Sequence, residues 1–134
     1  MNDIPKDNAL PIESYIRRYK DMTFTHEYNC NLRRLFPWPG NVNTKRPMTE
    51  FGCIWVQVEP GTEVDRHAHD EEESFIVIAG QAELSIESDS TTITFGDVIY
   101  LPRHSQHQLR NHSKEAFVML DIYWDWGGQS DSSL

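Results

Sequence analysis

No stretch of the 134-residue chain reaches 18 apolar residues, so the sequence holds nothing long enough to cross a membrane as a helix. Positive charge is scarce: 12 Lys and Arg stand against 21 Asp and Glu, a formal net charge of −9. An acidic surface repels phosphate backbones and anionic lipid, which argues against nucleic acid and membrane surfaces as partners. Cysteine is scarcer still. Cys30 and Cys53 match neither a disulfide framework nor a zinc-finger spacing and read as buried, reduced thiols. Residues Met1–Asp7 lack the basic-then-apolar pattern of a secretion signal, so the expected location is the cytoplasm. There is no internal repeat, and the length suffices for one domain with one core.

What is present is strand pattern. Ile12–Lys20 can form two helical turns, with Ile12, Tyr15, Ile16 and Tyr19 on one face. From Met22 onward the chain reads as short strands, clearest at 51–58, 74–78, 83–87, 91–95, 98–101, 106–110 and 117–123. Ile54, Val56 and Val58 alternate with Trp55, Gln57 and Glu59, and Leu84 and Ile86 alternate with Glu83, Ser85 and Glu87. Such period-two burial leaves one face solvated. Turn residues separate the strands at Pro60-Gly61, Ala79-Gly80, Ser88-Asp89-Ser90, Gly96-Asp97 and Pro102. The expectation is an all-β barrel or sandwich over 21–126, with an arm or short helix over 1–20 and a disordered Gly/Ser/Asp-rich tail over 127–134.

Histidine carries the chemistry. His67 and His69 are two apart, so on an extended strand both imidazoles point to one face. Glu73 follows the acidic run Asp70-Glu71-Glu72, and His107 opens a later strand. Imidazole and carboxylate groups converging inside a barrel suit a divalent first-row metal. Surface histidines beside an acidic loop are the plainer alternative.

The spacing resembles the cupin superfamily. Its first motif, G-x5-H-x-H-x3-E-x6-G, is met by Gly61, His67, His69, Glu73 and Gly80, a chance match at one start rarer than roughly one in a million. Its second, G-x5-P-x-G-x2-H-x3-N, reads Gly96, Pro102, His104, His107 and Asn111, with His104 in place of glycine. The resemblance, to small RmlC-like monocupins, implies a double-stranded β-helix (jelly-roll) barrel. It implies metal ligands at His67, His69, Glu73 and His107, with Asn111 as a structural turn residue. Glu71 or Glu72 in place of Glu73 would break the spacing. His104 stands where glycine accommodates a strained turn; it is either an exposed loop residue or a catalytic proton shuttle or extra ligand at the barrel mouth.

The ion implied is one divalent Zn, Fe, Mn or Ni, zinc first. A metal-dependent enzyme acting on a small polar molecule, an Fe-dependent dioxygenase and a non-catalytic binding module are the three function classes. A thiol dioxygenase is disfavoured, because that branch resembles a three-histidine site without the glutamate. A narrower resemblance lies in His69–Gly80, Gly96–Pro102 and Ile122–Asp125, which look like the cupin half of hydrazine-forming synthetases. Those enzymes rearrange an aminoacyl hydroxylamine ester into an N–N bond. This resemblance implies a separate synthetase-like protein to supply the ester. Trp55, Tyr100 and Tyr123, with Trp124, are candidates for a substrate wall. Arg33 or Arg34, on a segment 32–38 that reads as strand and corner, is the candidate partner of a substrate carboxylate. The family further implies a homodimer.

Overall fold

The computed structural model describes residues 11–16, 18–36 and 51–125. The expected tail over 127–134, the first ten residues and the Pro37-Trp38 corner lie outside them. Among the described residues nine strands make up the body: β1 (Thr25–Glu27), β2 (Cys30–Phe36), β3 (Phe51–Val58), β4 (Glu72–Ala79), β5 (Gln81–Ile86), β6 (Asp89–Thr94), β7 (Val98–Leu101), β8 (His107–Arg110) and β9 (Phe117–Trp124). One antiparallel sheet runs β1-β2-β3-β9-β4-β7, and a smaller one runs β6-β5-β8. Ahead of them the expected helix over Ile12–Lys20 resolves into two short 3-10 turns, Ile12–Tyr15 and Tyr19–Asp21. Ile12, Ile16 and Tyr19 remain exposed there, so these three do not supply the buried apolar face that would hold a longer helix.

The all-β expectation is met, and the alternation explains the layers. Val56 and Val58 of β3, Phe75 and Val77 of β4, and Phe117 and Met119 of β9 point inward. They meet Leu84 of β5 and Leu109 of β8. Two positions depart from the pattern, the first being Gln108, buried on β8 with its amide donating to the Val64 carbonyl. The second, Ser85, expected on the solvated face, is buried and shares a 2.8 Å hydrogen bond with Ser90 across the β5–β6 hairpin. Chain crossings are tight. Gly80 sits at φ +78°, and a Cβ there would come within 2.5 Å of the Ala116 carbonyl oxygen, so only glycine fits between β4 and β5.

Two features brace the end of the barrel where β3 finishes. The β1–β2 hairpin turns on Tyr28 and Asn29, both left-handed at φ 55° and 63°. That is the two-residue turn which matches strand twist but ordinarily asks for Asn-Gly. Asn111 braces the same end: Asn29 of the turn donates to the Glu63 carbonyl, and the Asn111 backbone N–H donates to the neighbouring Thr62 carbonyl. The Asn111 side-chain amide nitrogen donates to the Val58 and Glu115 carbonyls, and its oxygen accepts from the Ser113 backbone N–H and hydroxyl. A buried amide satisfied on every side is a structural clamp, as the motif implied.

Candidate metal centre

The ligand-bearing segments meet through backbone before any side chain is considered. His67 and His107 exchange both hydrogen bonds of an isolated antiparallel bridge, N–H to O at 3.1 and 2.9 Å. Directly opposed residues of such a pair project to the same side. Their rings stand 4.6 Å apart, centroid to centroid, and the His69 ring is 4.6 Å from His67. One ligand atom from each of His67, His69 and His107 falls within 4.8 Å of the others.

Hydrogen bonding fixes which nitrogen faces the centre. His67 Nδ1 lies 2.6 Å from the Asp65 carbonyl and His107 Nδ1 lies 2.9 Å from the Ser105 carbonyl. A carbonyl only accepts, so each Nδ1 carries the proton and each Nε2 keeps its lone pair. Glu73, buried on β4, brings Oε1 to 3.4 Å from His107 Nε2 and Oε2 to 3.8 Å from His69 Nε2.

Electrostatics marks this as a place short of positive charge. Burial pushes the His107 imidazole down to about 4, and burial followed by the neighbouring His67 lowers His69. Glu73 is raised far above the carboxylate range by burial, then by the charge of Asp121 and a hydrogen bond with it. His107 Nε2 is buried with no hydrogen-bond partner among the described residues. Neutral imidazoles with inward lone pairs, an orphaned buried Nε2 and two crowded carboxyl groups fit a divalent cation.

A cavity of about 250 Å³ opens over the three imidazoles. Leu32, Ile54, Val56 and Phe75 form much of its wall, and Tyr28, Arg34, Glu71, Asp121 and Tyr123 supply the polar rim. Of the expected wall residues, the structure brings Tyr123 to the cavity. Trp55 faces the other way, its indole N–H donating to Gln57 and its ring near Tyr19. Strand parity is the reason, since Ile54 and Val56 on either side point in. Tyr100 lies on the outer face, its hydroxyl donating to Glu72 and its ring stacked on Trp124. Arg33 shares the outward parity of Trp55, with which it is in register; Arg34 is the arginine at the cavity. Arg34 is held there by two hydrogen bonds to Glu27, which draw that carboxyl down to about 2.

His104 adopts φ +67°, the left-handed backbone that the glycine position requires. Its backbone N–H donates to the His69 carbonyl at 2.7 Å, and its exposed ring pairs with Asp70 at 3.2 Å rather than lining the cavity. Of the two readings of His104, this placement is that of the exposed loop residue, on the outer side of the ligand loop.

Tyr28 and Asp121 are among the cavity residues that lay outside the sequence expectations. Tyr28 stacks on His67 at 4.6 Å, and only the hairpin turn brings it there. Asp121 was legible in principle: Phe117, Met119, Asp121 and Tyr123 share one strand face, and a carboxylate in that company is anomalous. Cys30 and Cys53 are free and buried, as expected, with burial pushing the Cys30 thiol up to about 12.

Comparison with known proteins agrees with this architecture. The family model described as a cupin domain matches residues 54–123. A Cupin 2 conserved barrel domain protein from Salinispora arenicola is 34% identical, over 89% of this chain and 92% of its own, with a TM-score of 0.71. The plu4264 protein from Photorhabdus luminescens is 39% identical over 83% and 88%, with a TM-score of 0.72. An RmlC-like cupin from Shewanella frigidimarina, 14% identical over 90% and 96% with a TM-score of 0.65, shares the fold. No curated protein matches the chain. Among the described residues, no helix is long and apolar enough to cross a membrane.

Proposed function

The chain belongs to the cupin family, and on that footing we propose a metal-dependent enzyme that holds one divalent ion through His67, His69, Glu73 and His107 and acts on a small polar molecule in the cavity. The observation carrying this reading is the convergence of three imidazole ligand atoms within 4.8 Å, two of the nitrogens 3.4 and 3.8 Å from the Glu73 carboxylate. When bound, such an ion supplies Lewis-acid activation of a carbonyl or hydroxyl group. The chain's own part is to hold neutral imidazoles in one tautomer, to seat the reactant against Tyr28 and Tyr123, and to keep bulk water out with Leu32, Ile54, Val56 and Phe75.

The specific reaction we propose is a zinc-dependent rearrangement that joins two nitrogens of an aminoacyl hydroxylamine ester, the ester being made by a separate synthetase-like protein. Its support is the resemblance of 69–80, 96–102 and 122–125 to hydrazine-forming cupins, together with an apolar wall that disfavours ester hydrolysis. Elemental analysis of natively purified protein, followed by oxygen-uptake measurement with candidate amines, tests it. Zinc with no oxygen consumption is the expected result. Iron with substrate-dependent oxygen uptake would replace this reaction with a dioxygenase. A His107→Ala protein that kept full metal occupancy would remove the ligand assignment itself.

A further inference from the structure

Strand β9 presents Asp121 to the cavity between Met119 and Tyr123. In register it lies beside Ile54 of β3 and Phe75 of β4, and neither side chain can hydrogen-bond a carboxylate. The carboxyl group of Asp121 meets that of Glu73, yet its Oδ1 is buried with no partner among the described residues. A buried carboxylate oxygen without a donor is costly, so a fold that retains one implies a donor from elsewhere. Arg34 lines the same cavity, but Glu27 already takes two of its hydrogen bonds, at 2.7 and 3.0 Å. Among the described residues no histidine comes within 4.0 Å of the Asp121 carboxylate, whereas Glu73 approaches two.

We propose that Asp121 is a substrate-binding residue that accepts a hydrogen bond from an N–H or O–H of the molecule held at the ion, so that the site selects small amines, hydroxylamines or alcohols over simple anions. Charge points the same way. Glu27 offsets Arg34, and Glu73 with Asp121 offsets a divalent ion. An incoming anion therefore meets no net positive field, whereas a neutral donor gains a charge-assisted hydrogen bond. The inference rests on the metal reading above and gives it a substrate class.

The test uses cobalt(II)-loaded protein, whose visible absorption reports ligands entering at the metal, titrated with hydrazine as a donor-bearing probe and azide as an acceptor-only probe. In Asp121→Asn, cobalt stoichiometry should stay at the wild-type value, hydrazine should bind roughly tenfold or more weakly, and azide should bind equally or more tightly. Asp121→Leu, which fills the same space with an apolar group, serves if the amide variant misfolds and should show the same split. Equal changes for both probes, or none for hydrazine, would overturn the assignment. So would loss of cobalt in the variants, which would make Asp121 a ligand. A wild-type protein that takes up no cobalt would instead overturn the metal reading, and this one with it.

Discussion

Without an ion, the buried carboxyl of Glu73 makes the fold sensitive to pH. Its folded pKa is raised, so its contribution to stability is present below the unfolded value near 4.5 and is lost as pH rises toward the folded value. His107 runs the other way. Its folded pKa is depressed to about 4, so its contribution is full above 6.5 and lost as pH falls toward 4. The two oppose each other between 4.5 and 6.5, where Asp121, raised to about 6 by burial beside Glu73, acts in the same direction as Glu73; above 6.5 the loss on the carboxyl side continues without the His107 offset. Metal-free wild-type protein should therefore lose thermal stability from pH 6.5 to 9, with each unit of unmatched titration worth about 1.4 kcal/mol. Glu73→Gln removes the buried charge and should flatten that slope while weakening metal binding. Melting temperatures across this range in chelator would decide it: equal slopes for the two proteins would show that Glu73 is not the group responsible.

Strands β3 and β9 carry the wall of the site, and their register sets its shape. Gly52 is paired with Tyr123, and a Cβ on Gly52 would fall inside the Tyr123 ring. The glycine is thus a seat for the tyrosine, and Gly52→Ala should displace the ring at a cost of about 1–3 kcal/mol. The same substitution in a Tyr123→Ala background should cost almost nothing, and a double-mutant cycle by denaturant unfolding measures the difference. These strands were readable from the sequence because alternation and turn residues agreed, and 51–58 and 98–101 match β3 and β7 end to end. The cluster of His67, His69 and His107 was readable for a different reason, the fixed spacing of the motifs. The wall was not. Trp55 and Tyr100 attract attention as aromatics, but the parity of Ile54, Val56, Ile99 and Leu101 turns them outward. Tyr28 depends on a hairpin whose turn lacks the glycine that normally announces it.

For the molecule as a whole, an ion that binds only the folded barrel adds its binding free energy to the fold. At a free metal concentration one hundred times the dissociation constant the gain is about 2.7 kcal/mol. For a chain of this length that raises the melting temperature on the order of 10 °C. Calorimetry with and without zinc should show the increase, chelator should reverse it, and His107→Ala should abolish most of it. An unchanged melting temperature at saturating zinc would mean that the four residues do not bind the ion in the folded state.

The paired backbone of His67 and His107 also bears on the order in which the chain assembles. The two residues are forty positions apart in sequence, and their mutual hydrogen bonds form only once the segment after β3 has closed against β8. Glu73 arrives on β4, which belongs to the other sheet. The unfolded chain thus offers an ion little more than His67-x-His69, and the complete set exists only after long loops have closed. An ion held by this set would be a late recruit that slows unfolding rather than a nucleus around which the barrel condenses.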